Sequence, residues 1–119
     1  MYSSRLLDHF QNPRNVGEMP EPAFTVEVCN PACGDVLRLS VVVENGVVAK
    51  ALYKVRGCTA SIAAGSALTE WIAGRAWGEL GSFQSAIVEE ALGGLPPESR
   101  HAAVLCADGV KMLCERIKG

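Results

Sequence analysis

The dipeptide Asn45-Gly46 lies between two apolar runs and limits the folds open to this 119-residue chain more than any other feature. Asn-Gly between alternating apolar residues is the strongest short-range signal of a two-residue hairpin, because both residues tolerate positive φ. We therefore predict two antiparallel strands joined by this turn, Val36–Glu44 and Val47–Arg56. A further β-rich segment, Phe24–Cys29, precedes them and completes a three-stranded antiparallel sheet.

Apolar and polar residues alternate along the hairpin, which predicts one buried face and one partly wet face. The polar Arg38 and Ser40 are expected to point away from the buried face. The residues expected to share the buried face are Leu37, Leu39, Val41 and Val43 in the second strand and Val47, Ala49, Ala51, Tyr53 and Val55 in the third.

Helical patterns lie on both sides of the strands. A short helix is predicted at residues 3–10, and a helix rich in small residues at 58–74. One or two short helices follow within 77–92, and the last helix covers 98–117. This order predicts an α+β fold, with helices packed on one face of the sheet and the N-terminal helix before it. We expect residues 1–119 to form a single domain.

The net charge of −2 gives no electrostatic footprint for nucleic acid or an anionic membrane, so neither is expected as a partner. No apolar run approaches the roughly 20 residues of a membrane span, and the N-terminus lacks the apolar core of a signal peptide. We therefore expect a cytoplasmic protein. Five cysteines are many for this length. In a reducing compartment an odd number favours metal or sulfur chemistry over disulfides.

Residues 30–35, Asn-Pro-Ala-Cys-Gly-Asp, concentrate chemistry in a short loop. Pro31 fixes φ and Gly34 can take positive φ, so the segment is predicted to bend sharply between the first two strands. Cys33 offers a soft sulfur ligand and Asp35 a hard oxygen ligand. The loop therefore has the composition of half a metal site rather than half a disulfide.

Cys58 stands where the third strand gives way to a helix, and backbone donors at a helix N-terminus stabilise a thiolate. In a meander, the loop before the second strand and the end of the third strand lie at the same end of the sheet. Cys33 and Cys58 are therefore expected to be neighbours, and His101 is placed to reach the same end. For each of the three, an ordinary packing role stays open as the alternative. A core position is the favoured interpretation for the cysteines among apolar residues, Cys29, Cys106 and Cys114.

Four stretches, spread over nearly the whole chain, carry a family pattern. They are Tyr-Ser at 2–3 with Asp-His-Phe-Gln-Asn-Pro-Arg-Asn-Val-Gly at 8–17; Pro-Ala-Cys-Gly-Asp at 31–35; Gly-Cys at 57–58 with the small-residue helix ending in Thr-Glu-Trp at 69–71; and Leu-Pro-Pro at 95–97 before His101. In this order and spacing they resemble the NifU/IscU family of iron–sulfur cluster assembly scaffolds.

The resemblance implies a scaffold and not an enzyme. Family members accept sulfur from a cysteine desulfurase, assemble a [2Fe–2S] cluster with iron and hand it to apo iron–sulfur acceptor proteins. The family site has three cysteines with an aspartate and a histidine nearby, and the residues that carry over are Cys33, Asp35, Cys58 and His101. A carboxylate is a harder, weaker ligand for such a cluster than a thiolate, which suits delivery better than storage. The same donors suit tetrahedral zinc, which is the alternative occupant.

The chain departs from the family where the third cysteine directly follows the histidine, because Ala102 stands there. Cys106 lies four residues further on, on the same helix face and about 5–6 Å along the axis. Cys106 is therefore the first candidate to substitute for the missing ligand after a modest shift of the last helix, with a core position as its alternative, and the candidate site consists of Cys33, Asp35, Cys58, His101 and Cys106. Cys29 ranks below it as a substitute, since its strand places it some distance from the loop.

Two other functions stay open. A zinc-binding sulfur-acceptor module would need only the four residues carried over from the family, so the missing cysteine would not matter. A degenerate paralogue would dock on a cysteine desulfurase without assembling a cluster. Leu-Pro-Pro is followed here by Glu98-Ser99, where the family has Val-Lys, which counts against recognition by an Hsp70-type chaperone.

Overall fold

A computed structural model describes residues 2–31 and 34–119 of the chain, and it confirms the predicted α+β class. The elements in chain order are α1 (Ser4–Gln11), β1 (Phe24–Cys29), β2 (Val36–Glu44), β3 (Val47–Arg56), α2 (Thr59–Ile72), a 3-10 turn (Trp77–Ser82), α3 (Ser85–Ala91), a second 3-10 turn (Pro97–Ser99) and α4 (His101–Lys118). Within the described ranges, no helix combines the length and apolarity that crossing a membrane requires.

The three strands form one antiparallel sheet in the order β1-β2-β3. Helix α2 packs against β3, and α4 packs against β1 and β2. The turn between β2 and β3 has the predicted backbone, because Asn45 has φ 54° and Gly46 has φ 77°, both positive as a type I′ turn requires. The hairpin prediction is therefore confirmed in its position and in its turn type.

The prediction that Val47 and Ala49 face the core is wrong. The pairing between β2 and β3 shifts between Val42 and Val43, which leaves Ala49 as an extra residue in β3. Such a β-bulge reverses the alternation of side chains beyond it. Val48 is consequently buried, whereas Val47 and Ala49 are exposed.

The outer face of the sheet is less wet than the sequence predicts, because the connector after α1 covers part of it. Ser40 is buried, and its pairing partner Leu52 is half-buried. A Cβ atom on Gly17 would lie 3.3 Å from the Cδ1 atom of Leu52, so the connector runs directly over this face. Arg38 donates hydrogen bonds of 3.0 and 3.1 Å to the carboxylate of Glu18 in the same connector.

Polar contacts fix α1 and the connector on α2. The Ser3 hydroxyl caps α1 by accepting a hydrogen bond of 3.0 Å from the backbone N–H of Leu6. The Nδ1 atom of His9 lies 2.8 Å from the Ser66 hydroxyl, which also accepts a bond of 3.0 Å from the backbone N–H of Arg14. His9 thus has a packing role at the centre of α2. It lies away from the end of the sheet that carries Asp35 and Cys58.

Small residues let α2 approach the sheet closely, as the sequence indicates. A Cβ atom on Gly65 would lie 2.4 Å from two ring carbons of Tyr53 in β3. The Tyr53 hydroxyl donates a hydrogen bond of 2.8 Å to the backbone carbonyl of Ile62 in α2. The tyrosine therefore sets both the distance of α2 from the sheet and its position along the helix axis.

Replacing Gly65 with alanine is expected to lower the free energy of unfolding by about 1–2 kcal/mol, because crowding the Tyr53 ring outweighs the gain in helix propensity. Urea denaturation measures the change. Gly78→Ala is the matched control, since a Cβ there meets no heavy atom within 4 Å. Equal stability of the two variants would contradict the close packing of α2 on β3.

Candidate metal site

Three side chains from separate parts of the chain converge at one end of the sheet. Asp35 directly precedes β2, Cys58 is the N-cap residue of α2, and His101 begins α4. The Sγ atom of Cys58 lies 3.4 Å from Asp35 Oδ2 and 3.5 Å from His101 Nε2, and the latter two atoms are 3.4 Å apart. Among the described residues, these three form the one group of at least three His, Cys, Asp or Glu side chains whose ligand atoms lie close enough together to hold a metal ion.

The separations of these three atoms match the edges of a metal coordination tetrahedron. Zinc binds sulfur, nitrogen and oxygen ligands at about 2.0–2.3 Å, so neighbouring ligand atoms in a tetrahedral site lie about 3.3–3.8 Å apart. The observed values of 3.4–3.5 Å fall within that range. One ion could therefore contact all three side chains with little rearrangement of the backbone.

His101 is oriented as a metal-binding histidine. Its Nδ1 atom lies 3.0 Å from the backbone carbonyl oxygen of Glu98, which can only accept a hydrogen bond. Nδ1 must therefore donate this hydrogen bond, and Nε2, which faces Asp35 and Cys58, is the ring nitrogen placed to bind a metal ion. Histidines that bind metal usually donate their second ring N–H to a carboxylate or carbonyl in this way.

The Asp35 carboxylate is buried against the start of α2. A Cβ atom on Gly57 would lie 2.5 Å from Asp35 Cγ, so only glycine at that position leaves room for the carboxylate. Burial on its own would raise the pKa of Asp35, but hydrogen bonds from the Ser61 hydroxyl and from Cys58 outweigh it and lower the pKa. The group is thus held as a carboxylate, the form that binds metal.

Ser61 was not predicted to belong to this site. It is buried, with 1% of its surface exposed, and its hydroxyl donates a hydrogen bond to Asp35 Oδ2. The same hydroxyl oxygen lies 3.4 Å from the Sγ atom of Cys58. One signal could have identified Ser61: it follows Cys58 by three residues at the start of a helix, and residues at that spacing share a helix face.

The predicted site also involves Cys33 and, in place of a further cysteine, Ala102. Cys33 lies outside the described residues. The neighbouring loop is closed by hydrogen bonds from Gly34 N–H to the Asn30 carbonyl at 2.7 Å and from Asn30 N–H to the Asp35 carbonyl at 2.9 Å. Gly34 has φ 76°, as the bent loop predicts. Ala102, at the position where the resemblance implies a third cysteine, is fully buried beside His101.

The structure does not bring Cys106 into the group formed by Asp35, Cys58 and His101. Cys106 lies in the hydrophobic core with 1% of its surface exposed, and burial raises the pKa of its thiol to about 12. The expectation of a core position holds for this cysteine. It is wrong for Cys29, which is exposed at the end of β1. Cys114 is half-buried and packs against the core, as expected.

Comparison with known proteins gives a consistent result over the whole chain. The profile of the family described as "NifU-like N terminal domain" matches residues 1–117. The chain is 41% identical over 114 residues to the iron-sulfur cluster assembly scaffold protein IscU of Azotobacter vinelandii, covering 92% of this chain and 88% of that protein. It is 39% identical over 114 residues to the protein of the same name from Haemophilus influenzae, covering 92% and 90%.

The fold is also shared with a solved structure. The crystal structure of a nitrogen-fixing NifU-like protein (N-terminal) from Brucella abortus superimposes with a TM-score of 0.76 at 22% identity. The match covers 98% of this chain and 93% of that chain. At this level of identity the comparison supports the architecture, whereas the site must be argued from its own residues.

The burial of the cysteines predicts a difference in their reactivity. In metal-free native protein at neutral pH, iodoacetamide is expected to modify Cys29 readily and Cys106 only after unfolding, because the reactive thiolate of Cys106 is scarce and enclosed. Mass spectrometry of digested protein, with and without guanidinium, measures both sites in one sample. Modification of Cys106 at the rate of Cys29 would show that Cys106 leaves the core easily.

Proposed function

Because the chain belongs to the NifU-like N-terminal domain family, we propose that it is an iron–sulfur cluster assembly scaffold and not an enzyme. The observation that carries this proposal is the convergence of Asp35, Cys58 and His101 at metal-binding distances. Relatives about 40% identical over nearly the full length are named as scaffolds of this kind. We take residues 1–119 as one domain with that role.

The cluster is the cargo of the proposed scaffold. Cys33, Asp35, Cys58 and His101 would hold iron and sulfide, with a [2Fe–2S] cluster as the product. Soft thiolates suit iron–sulfur clusters, whereas the Asp35 carboxylate is a harder ligand that such clusters hold less firmly. A mixed set of ligands therefore favours release to an acceptor over permanent storage.

The surroundings of the site suit exchange with other proteins. Cys58 is half-buried and the His101 side chain is 26% exposed, so the site lies at the surface and not in a closed cavity. We propose a cysteine desulfurase as the sulfur donor and apo iron–sulfur proteins as acceptors, in the reducing cytoplasm where thiolates persist. An Hsp70-type chaperone is not part of the proposal, because Glu98 and Ser99 replace the residues that the family has after Leu-Pro-Pro.

Zinc binding is the second candidate, and one observation favours it. The three described ligand atoms contact one another pairwise at 3.4–3.5 Å, a geometry suited to a single ion. A fourth donor would complete the tetrahedron, and Cys33 is the residue we propose for it. The earlier prediction that Cys106 supplies this donor requires its thiol to leave the core.

Anaerobic reconstitution with ferrous iron and sulfide tests the main proposal. The wild-type chain is expected to bind iron and acid-labile sulfide in equal amounts and to show a visible cluster spectrum. Cys58→Ala should lose most of both, because it removes a central ligand. Cys106→Ala should retain them, since Cys106 is a core residue in the described structure.

Three results would change this conclusion. Absence of sulfide from the wild type, with one zinc ion bound instead, would favour the zinc-binding module. Absence of any metal would favour the docking paralogue. Loss of the cluster in Cys106→Ala, with folding intact by circular dichroism, would show that Cys106 supplies a ligand after a shift of α4.

Metal binding is also expected to stabilise the fold. An ion that binds only the folded state at 100 times its dissociation constant adds about 2.7 kcal/mol. Removing metal with a chelator should therefore lower the melting temperature of the wild type by several degrees. The same treatment should leave Cys58→Ala unchanged. Identical melting temperatures for the wild type with and without chelator would contradict the prediction.

A further inference from the structure

Ser61 stands out among the polar side chains of α2 because its hydroxyl faces the candidate ligands. Thr69, on the same helix, directs its hydroxyl back to the carbonyls of Gly65 and Ser66, at 3.1 and 3.0 Å. The Ser61 hydroxyl instead reaches Asp35, which lies 26 residues earlier in the chain. Its contact therefore links the first turn of α2 to the loop before β2.

We propose that Ser61 is a positioning residue that holds the Asp35 carboxylate in place to bind metal. This inference rests on the proposed function, because it concerns the same site. The Ser61 hydroxyl donates to Asp35 Oδ2, the oxygen that also lies 3.4 Å from Cys58 Sγ and 3.4 Å from His101 Nε2. Ser61 thus orients the one carboxylate oxygen on which the other two ligands converge.

Helix capping does not account for this contact. The N-cap residue of α2 is Cys58, whose side chain makes no capping hydrogen bond. In the contact with Asp35 the Ser61 hydroxyl is the donor and a side-chain carboxylate is the acceptor, so this bond satisfies no backbone N–H of the helix. The bond therefore orients Asp35 and does not cap the helix.

The electrostatics of the metal-free site explain why such a donor is needed. Asp35 is 5% exposed, and its carboxylate is packed directly against Gly57. A buried carboxylate without hydrogen-bond donors is costly. The Ser61 hydroxyl supplies such a side-chain donor, beside the backbone hydrogen bond that Asp35 accepts from Cys58.

Hydrogen-bond partners of metal ligands have effects large enough to measure. Removing such a partner typically weakens metal binding by about 10–100-fold. Ser61→Ala should therefore weaken binding of Co²⁺, used as a visible probe for a tetrahedral site, by about 10–100-fold. Alanine has the highest helix propensity and already occupies four of the 14 positions of this helix, so the variant keeps the helix and removes only the hydroxyl.

The experiment titrates Co²⁺ into metal-free wild type and variants and records the visible d–d absorption, whose shape reports the ligands. Ser66→Ala is the matched control, because Ser66 is an equally buried serine of α2 whose hydroxyl contacts His9 and Arg14 instead. It should bind Co²⁺ like the wild type. Ser61→Thr keeps the hydroxyl and should restore both the affinity and the spectrum.

A double-mutant cycle tests whether Ser61 acts through Asp35. In the Asp35→Asn background, Ser61→Ala should change Co²⁺ affinity less than twofold. An equal loss in both backgrounds would overturn the inference, as would wild-type affinity and spectrum in Ser61→Ala. Failure of Ser61→Thr to recover binding would also overturn it, since the hydroxyl would then not be the active group.

The Co²⁺ titration distinguishes a failure of the role proposed for Ser61 from a failure of the proposed metal-binding function. If the wild type binds Co²⁺ and Cys58→Ser does not, the metal site is real, and the Ser61 variants alone decide the role of Ser61. If the wild type binds neither Co²⁺ nor zinc and assembles no cluster on reconstitution, the proposed function fails and the inference fails with it.

Discussion

The pairing of Val36 with Arg56, at the end of the ladder between β2 and β3, is the contact on which the site depends. It places the residue before β2 beside the residues after β3, so Asp35 meets Gly57 and Cys58 without any further loop. A slip of one residue in this register would turn each side chain to the opposite face of the sheet. Gly57 completes the arrangement, because its missing side chain leaves the space that the carboxylate fills.

Helix α2 is fixed at two levels, of which only the one near its N-terminus lies beside the site. Near its N-terminus the Tyr53 hydroxyl holds the Ile62 carbonyl, and one turn later the Tyr53 ring lies against Gly65. In its middle, Ser66 is bonded to α1 and to the connector. Metal sites work best when their ligands stand on elements that packing has already fixed. The small residues of α2 therefore help to position Cys58 at its N-terminus as well as to pack the core.

The sequence predicted the elements well because each has a local cause. Asn45-Gly46 marks the turn of the hairpin, and Gly57 marks the change from strand to helix. The bulge at Ala49 could not be predicted, since in a run of small apolar residues either alternation looks equally good. Ser61 lies in a run of small residues, and its role depends on a contact with Asp35, which is distant in the chain and close only in the fold. For Cys106 the sequence gives the helix face, but only packing determines the depth at which the thiol lies.

The order of the ligands along the chain has a consequence for how the protein is made. His101 follows Cys58 by 43 residues, and it begins the last helix described. Asp35 and Cys58 are therefore synthesised well before His101. Any ion that meets the nascent chain finds an incomplete set, and a complete one forms only when α4 docks on the finished sheet. Metal binding and the packing of α4 on the sheet are in this way linked, because the described ligands come together only when both are in place.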